Sequence, residues 1–165
     1  MVSFKRIAMA AVAALGMSTA VVASNSVTFI SQDGLERIVS FTCNPGMTNP
    51  AEFILPGHAV QRVQFPAGKW SGTFMARLHG AVHPIHRVIG EVTFENEKTW
   101  YDVSAIDNHT DSTGVKYLYP IGVELTKYNK PGCDTFPCDN CYLYPDDVHT
   151  RAVAETSDMI CLVGN

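Results

Sequence analysis

Two short segments carry side chains that could bind a metal ion. In the first, His79, His83 and His86 lie four and three residues apart. On a helix this spacing would place three imidazoles on one face, where they could bind copper or zinc. Gly80 and Pro84 favour a loop instead, and surface histidines that titrate in a mildly acidic medium are the alternative. The sequence therefore assigns no metal site.

The second segment runs Asp107-Asn108-His109-Thr110-Asp111. Its acidic residues and His109 could form the metal site of a nuclease, but the chain shows no matching partners elsewhere. Asn108-His109-Thr110 is also an acceptor for N-glycosylation, which favours an exposed loop and makes Asn108 the predicted glycosylation site. A metal-dependent nuclease is therefore the least favoured function.

The N-terminal segment predicts export from the cell. Lys5 and Arg6 precede a short apolar stretch that ends in small residues up to Ala23, which is the pattern of a cleaved signal peptide. The apolar stretch is too short for a comfortable membrane span. We expect a signal peptide over 1–23 and one mature domain over 24–165, secreted and free of the membrane after cleavage.

Five cysteines favour disulfides over zinc. They are Cys43, Cys133, Cys138, Cys141 and Cys161. An oxidising destination makes disulfides the default, and five cysteines allow at most two bridges. Cys138 and Cys141 form a C-x-x-C, but no second ligand pair for zinc is present. We predict that Cys138 and Cys161 are both oxidised, with their partners left open, and we expect no cofactor.

The charge balance bears on the partners. The chain has 12 Lys and Arg against 16 Asp and Glu, for a formal net charge of −4, and the leader removes two of the basic residues. Affinity for nucleic acid depends mostly on basic residues that neutralise phosphates. Nucleic acid is therefore not an expected partner.

Short β-rich runs separated by Gly, Pro, Asn and Asp predict an all-β fold. The runs are Val27–Ile30, Arg37–Thr42, Ala59–Phe65, Gly72–Leu78, Val88–Phe94, Thr99–Ile106, Val115–Tyr119, Tyr142–Tyr144 and Met159–Val163. Glu91–Glu95 alternates cleanly between apolar and polar residues, as a half-buried strand does. Asp33-Gly34 between two runs predicts a hairpin turn. Many short strands with regular turns are typical of a single-domain β-sandwich.

Four blocks, in order along the chain, resemble thaumatin-like proteins. They are L-P-G-H-A-V with F-P-A-G-K-W-S-G and A-R over 55–77, G-E-V-T-F over 90–94, W-Y-D-V-S-A-I-D over 100–107, and P-C-D-N-C-Y-L-Y-P-D-D over 137–147. In style the chain is similar to small secreted fungal thaumatin-like proteins, some of which carry a DNase-like label. The resemblance implies a trimmed thaumatin-like β-sandwich with disulfide-tied loops.

The resemblance also implies a binding cleft for β-1,3-glucan. The acidic residues of that family's cleft correspond here to Glu91 and Asp107, a pair of carboxylates that could cleave a glycosidic bond. The alternative is that Glu91 is an outward-facing strand residue and Asp107 caps a turn. The ligand-binding candidates are Trp70, Arg77, Trp100 and Tyr101. The aromatic rings of Trp70, Trp100 and Tyr101, together with that of Tyr117, could stack on sugars or simply pack in the core.

These observations favour a secreted protein without catalytic activity, at the cell wall or a host interface, with affinity for β-glucan or another extracellular polysaccharide. A weak endo-β-1,3-glucanase that uses Glu91 and Asp107 is the alternative.

Overall fold

The computed structural model describes residues 25–81, 87–95, 97–154 and 156–165. The predicted signal peptide and two members of the histidine cluster, His83 and His86, lie outside these residues. Only His79 of that cluster is described, and its Nδ1 lies 2.5 Å from Glu36 Oε1.

Ten strands and no helix occur in the described part of the chain. The strands are β1 Ser26–Ser31, β2 Arg37–Cys43, β3 Phe53–Leu55, β4 Val60–Gln64, β5 Trp70–Leu78, β6 Ile89–Phe94, β7 Thr99–Ser104, β8 Val115–Pro120, β9 Arg151–Val153 and β10 Asp158–Val163. All the predicted runs but one overlap a strand. The exception is Tyr142–Tyr144, which contributes only a single bridge from Tyr142 to Ser104.

The strands form two sheets. A four-stranded sheet has the order β4-β1-β10-β8, and a six-stranded sheet has the order β3-β2-β5-β6-β7-β9. Every pair is antiparallel except β1 with β10. The first and last strands therefore lie side by side in the middle of the smaller sheet.

An aromatic core joins the two sheets. Phe29 of β1 makes edge contacts with Phe53 and Phe74 of the larger sheet, at ring-centroid distances of 5.6 and 5.1 Å. Phe29 and Phe74 are almost completely buried. These rings point inward from opposite sheets and contact each other. The two sheets therefore pack as layers around one core. This confirms the prediction of a single all-β domain.

The predicted hairpin at Asp33-Gly34 is wrong, because β1 and β2 belong to different sheets. The segment crosses from one layer to the other and is fixed there by a buried ion pair. Arg37 is 1% exposed and donates two hydrogen bonds to the Asp33 carboxylate, both of 2.7 Å. Arg37 Nε also donates to the Thr113 carbonyl at 2.6 Å. The Asn165 backbone N–H donates to Asp33 Oδ2 at 3.1 Å.

The hydrogen bonds from Arg37 hold the pKa of Asp33 well below its usual range. We expect Asp33→Asn to lower the free energy of unfolding by about 3 kcal/mol at pH 7, because it leaves a buried guanidinium unpaired. A carboxyl with a depressed pKa stabilises the fold above its unfolded-state pKa, and that contribution is lost as the pH falls. The difference between the variant and the wild type should therefore shrink between pH 5 and pH 2, as measured by urea unfolding.

Asp139→Asn is the matched control, since it makes the same charge change in an exposed pair with Lys127. Surface pairs of this kind add little to stability. Equal losses in the two variants would contradict a special role for Asp33.

Candidate functional site: a polar groove on the six-stranded sheet

The outer face of the six-stranded sheet presents a band of polar side chains. On β6, Val92 and Phe94 point into the core, whereas Glu91 and Thr93 alternate to the outer face. The clean alternation predicted for this strand is thus confirmed. On β7, the buried Tyr101 alternates with Trp100 and Asp102, so the latter two share the outer face with Glu91.

Strand register sets these residues in two rows. In one row Thr42, Thr73, Glu91 and Asp102 are successive cross-strand neighbours on β2, β5, β6 and β7. In the next row Ser71, Thr93 and Trp100 are neighbours. Directly opposed residues of antiparallel strands have Cβ atoms about 5 Å apart, so the Glu91 and Asp102 carboxylates are close neighbours.

We call the depression over these rows the outer groove. It has a volume of about 280 Å³, and its lining includes Asn44, Ser71, Thr73, Glu91, Thr93, Trp100, Asp102 and Thr150. One wall is the segment 142–150, which follows the loop that contains Cys133, Cys138 and Cys141. This segment is hydrogen-bonded to β7. The Tyr142 N–H donates to the Val103 carbonyl at 2.9 Å, and the Tyr142 hydroxyl lies 2.9 Å from Thr150 Oγ1.

Asp102 lies beneath this wall and is only 5% exposed. Thr150 Oγ1 donates to Asp102 Oδ2 at 3.1 Å, while Oδ1 accepts no hydrogen bond from any described residue. Burial raises the pKa of Asp102 to about 7, and the charge of Glu91 adds to the increase. Burial also raises the pKa of Glu91. The outer groove therefore holds two unlike carboxyls, and the deeper one keeps its proton in a mildly acidic medium.

No family model matches the chain. The antigenic protein SchS21 of Stachybotrys chartarum is 41% identical over 135 residues, which cover 79% of this chain and 88% of SchS21. The chain belongs to the SchS21 family. Among solved structures, the protein elicitor MoHrip2 of Magnaporthe oryzae matches with a TM-score of 0.59 at 11% identity, over 86% of this chain and 99% of MoHrip2. That likeness establishes a shared fold.

The assignment to thaumatin-like proteins is wrong. SchS21 is a relative that covers most of the chain, and the MoHrip2 elicitor is a solved structure with the same fold. The blocks that suggested thaumatin coincide with strand and turn features. One of them contains the Pro66–Gly68 turn, where Gly68 has a φ of 84°, followed by β5. Patterns of this kind satisfy the requirements of sandwich turns in general and so carry limited family information.

In this structure Glu91 and Asp107 line a common depression. It is a smaller groove of about 170 Å³ that also includes Arg87 and Ser104. Glu91 thus stands between this depression and the outer groove, and its cross-strand neighbour is Asp102 instead of Asp107. Asp102 was not among the site residues predicted from the sequence. Its position two residues after Trp100, in the middle of a β-rich run, could have indicated a carboxylate on the same face of the strand as the Trp100 ring.

The four predicted ligand-binding residues have different fates. Trp70 and Tyr101 are buried in the core and donate to backbone carbonyls of Thr48 and Asn129 at 3.1 and 3.0 Å. Their rings cannot stack on a ligand, so those two predictions are wrong. Arg77 lies toward the far end of β5, 3.9 Å from Glu52, and lines neither groove. Trp100 is 40% exposed and borders the outer groove.

The residues of the hypothetical nuclease site do not converge on a metal position. Asp111 is buried and lies 3.3 Å from Arg87, and the His109 ring packs on Tyr144 with a centroid distance of 5.4 Å. Asn108 Oδ1 accepts hydrogen bonds from the N–H and hydroxyl of Thr110. Its glycosylation stays a prediction.

The cysteines form one disulfide among the described residues, Cys133–Cys138. The prediction for Cys138 is confirmed and the prediction for Cys161 is wrong. Cys161 is completely buried on β10, where it packs as a small apolar residue of the core. Cys43 and Cys141 are also free thiols. The sulfurs of Cys133, Cys138 and Cys141 are the only cluster of three metal-binding side chains in the described part of the chain.

The disulfide and the all-β fold agree with a protein of the extracellular space. None of the described segments forms a helix long and apolar enough to cross a membrane.

We expect Asp102→Asn to flatten the pH dependence of stability. Because native Asp102 has a pKa of about 7 against an ordinary value of 3.8, the native state binds more protons between these values. The free energy of unfolding should therefore fall as the pH rises from 4 to 7. The variant should be more stable than the wild type by about 4 kcal/mol at pH 8 and equal to it near pH 4, as measured by urea unfolding.

Asp107→Asn is the control, since Asp107 is an exposed carboxylate that lines the neighbouring depression. A pH profile of Asp102→Asn that parallels that of the wild type would contradict the burial of a protonated carboxyl.

Proposed function

We propose that this protein is secreted and acts at the cell wall or a host interface as a non-catalytic binder of an extracellular polysaccharide such as β-1,3-glucan. The names of its relatives support the location, since SchS21 is an antigenic protein and MoHrip2 a protein elicitor. The outer groove supplies the binding surface.

The observation that carries the proposal is the position of Trp100. Its ring is exposed on the outer face of the sheet, beside the hydroxyls of Thr73 and Thr93 and the carboxylate of Glu91. The C–H face of a sugar ring packs on an indole, and the sugar hydroxyls pair with hydroxyl and carboxylate oxygens. A site of this composition suits a neutral molecule rich in hydroxyl groups.

Trp100 also borders a second depression of about 580 Å³, lined by Lys69, Glu95, Glu97 and Lys98. The ring thus stands between two grooves. A linear chain that crosses the ring would contact both of them, whereas a single sugar would fill one. This geometry favours a polymer over a monosaccharide.

Trp100→Ala should lower the retention of the protein on insoluble β-1,3-glucan about tenfold, because it removes the stacking surface. The measurement is a pull-down of purified protein over a range of polysaccharide concentrations. Tyr144→Ala is the matched control, since Tyr144 is an exposed aromatic that lines neither groove. Equal retention of the wild type and Trp100→Ala would disprove the binding site.

A second candidate, weak hydrolysis of the same polymer, is favoured by one observation. Glu91 and Asp102 are adjacent carboxyls in unlike environments, and Asp102 has a pKa of about 7. A protonated carboxyl can donate to the glycosidic oxygen while an ionised partner stabilises or attacks the sugar. The negative charge of Glu91 is one of the causes that raise the pKa of Asp102. Glu91 would therefore be the ionised member of the pair.

If the protein hydrolyses β-1,3-glucan, release of reducing sugar should fall at least 100-fold in Asp102→Asn and in Glu91→Gln, since each removes one catalytic carboxyl. Asp107→Asn should retain the activity. Loss in Asp107→Asn with activity retained in Asp102→Asn would instead identify the pair expected from the sequence. Sugar release unchanged in all three variants would remove this candidate.

A further inference from the structure

The loop between β8 and β9 brings three sulfur atoms together. The Sγ atoms of Cys133, Cys138 and Cys141 all lie within 4.8 Å of one another. Cys133 and Cys138 are joined, and the free thiol of Cys141 lies 3.6 Å from Cys133 Sγ. This is van der Waals contact between a thiol and a disulfide sulfur, the arrangement from which thiol–disulfide exchange begins.

The backbone holds this contact in place from two directions. The Cys133 N–H donates to the Lys116 carbonyl of β8 at 2.9 Å. Next to Cys141, Tyr142 donates to the Val103 carbonyl of β7 and accepts from the Ala105 N–H at 2.8 Å. Cys133 and Cys141 are therefore held by different sheets of the sandwich. Within the loop, the Gly132 N–H also donates to the Asn140 carbonyl at 2.8 Å, which brings the neighbouring Cys133 and Cys141 together.

Gly132 makes the approach to β8 feasible. Its φ is 122°, and a Cβ atom at this position would lie 1.9 Å from the Lys116 carbonyl oxygen. A residue with a side chain would push the loop away from β8. The position of Cys133 thus depends on the glycine that precedes it.

Cys138 differs from the other two cysteines. Cys133 and Cys141 are buried, whereas Cys138 is half-buried and borders a groove of about 630 Å³. The groove is also lined by two basic and two acidic residues, Lys127, Lys130, Asp134 and Asp139, and Lys127 is paired with Asp139 at 3.0 Å. If Cys138 leaves the disulfide, its thiol therefore faces an accessible groove of mixed charge.

We propose that the Cys133–Cys138 disulfide is exchanged for a Cys133–Cys141 disulfide and that the released Cys138 is a site of covalent modification by low-molecular-weight disulfides. The Cys141 thiolate attacks Cys133 Sγ, the Cys133–Cys138 bond breaks, and its electron pair goes to Cys138 Sγ. The proton that Cys141 loses is balanced by the one that Cys138 takes up, so no oxidant is needed. The Cys138 thiolate then attacks a small disulfide, which forms a mixed disulfide and releases one thiol.

The exchange changes what the bridge does. Cys133–Cys138 closes a short loop within one segment, whereas Cys133–Cys141 links chain held on β8 to chain held on β7. Burial raises the pKa of Cys141, and the nearby charges of Asp147 and Asp139 add to this. The exchange should therefore be slow in acid and faster in alkali.

The first test asks whether the second bridge can form. Cys138→Ser is refolded in a glutathione redox buffer and mapped by non-reducing peptide mass spectrometry. A Cys133–Cys141 disulfide is expected. Free thiols at both positions in the folded variant would overturn the proposal. If Cys138→Ser does not fold, the second test decides.

The second test uses glutathione disulfide as the probe. It is made in a Cys43→Ser background, because Cys43 is a half-buried free thiol that could react directly. At pH 8.5 we expect one glutathione on Cys138, about thirty times faster than at pH 7, in step with the thiolate fraction of Cys141. Adding Cys141→Ser should abolish the modification, whereas adding Cys161→Ser should leave it unchanged. Glutathione found on Cys141, or no modification of Cys138, would overturn the proposal.

Discussion

The buried ion pair between Arg37 and Asp33 is the contact on which the placement of the two sheets depends. It fixes the segment that passes from β1 in one layer to β2 in the other, and it also binds the Thr113 carbonyl and the backbone of Asn165. Three distant parts of the chain thus meet at one ion pair. A charge taken out of water is tolerated only when all its partners are present, so this corner has a single arrangement. That arrangement fixes where β2 begins, and therefore the register in which β2 pairs with its neighbours in the larger sheet.

From that register follows the polar row on the outer face of the larger sheet. Successive pairings place Thr73, Glu91 and Asp102 side by side, and the Tyr142 segment then covers the last of them. Asp102 is costly to the fold, since a half-partnered carboxyl in a buried position opposes folding at neutral pH. Features that oppose stability tend to mark functional sites. The groove beside Trp100 combines such a feature with an exposed ring, which is why it carries the proposed function.

Residue pattern predicted the strands well and their partners poorly. Alternation of apolar and polar residues defines which face of Glu91–Glu95 is buried, because the side-chain period of a strand is a local property. The turn at Asp33-Gly34 gave no sign that the following strand enters the other sheet, since this depends on Arg37 and on residues far along the chain. For the same reason the pairing of Asp102 with Glu91 was missed. Among the cysteines, Cys161 could be distinguished from Cys138 only by its burial on a central strand.

The parallel pairing of β1 with β10 has a consequence for how the protein is made. β10, the last strand that the structure describes, occupies the interior of the smaller sheet, between β1 and β8. That sheet cannot close until β10 has been synthesised, because contacts between distant segments form only after both exist. The smaller sheet of the nascent chain therefore stays open until β10 has left the ribosome.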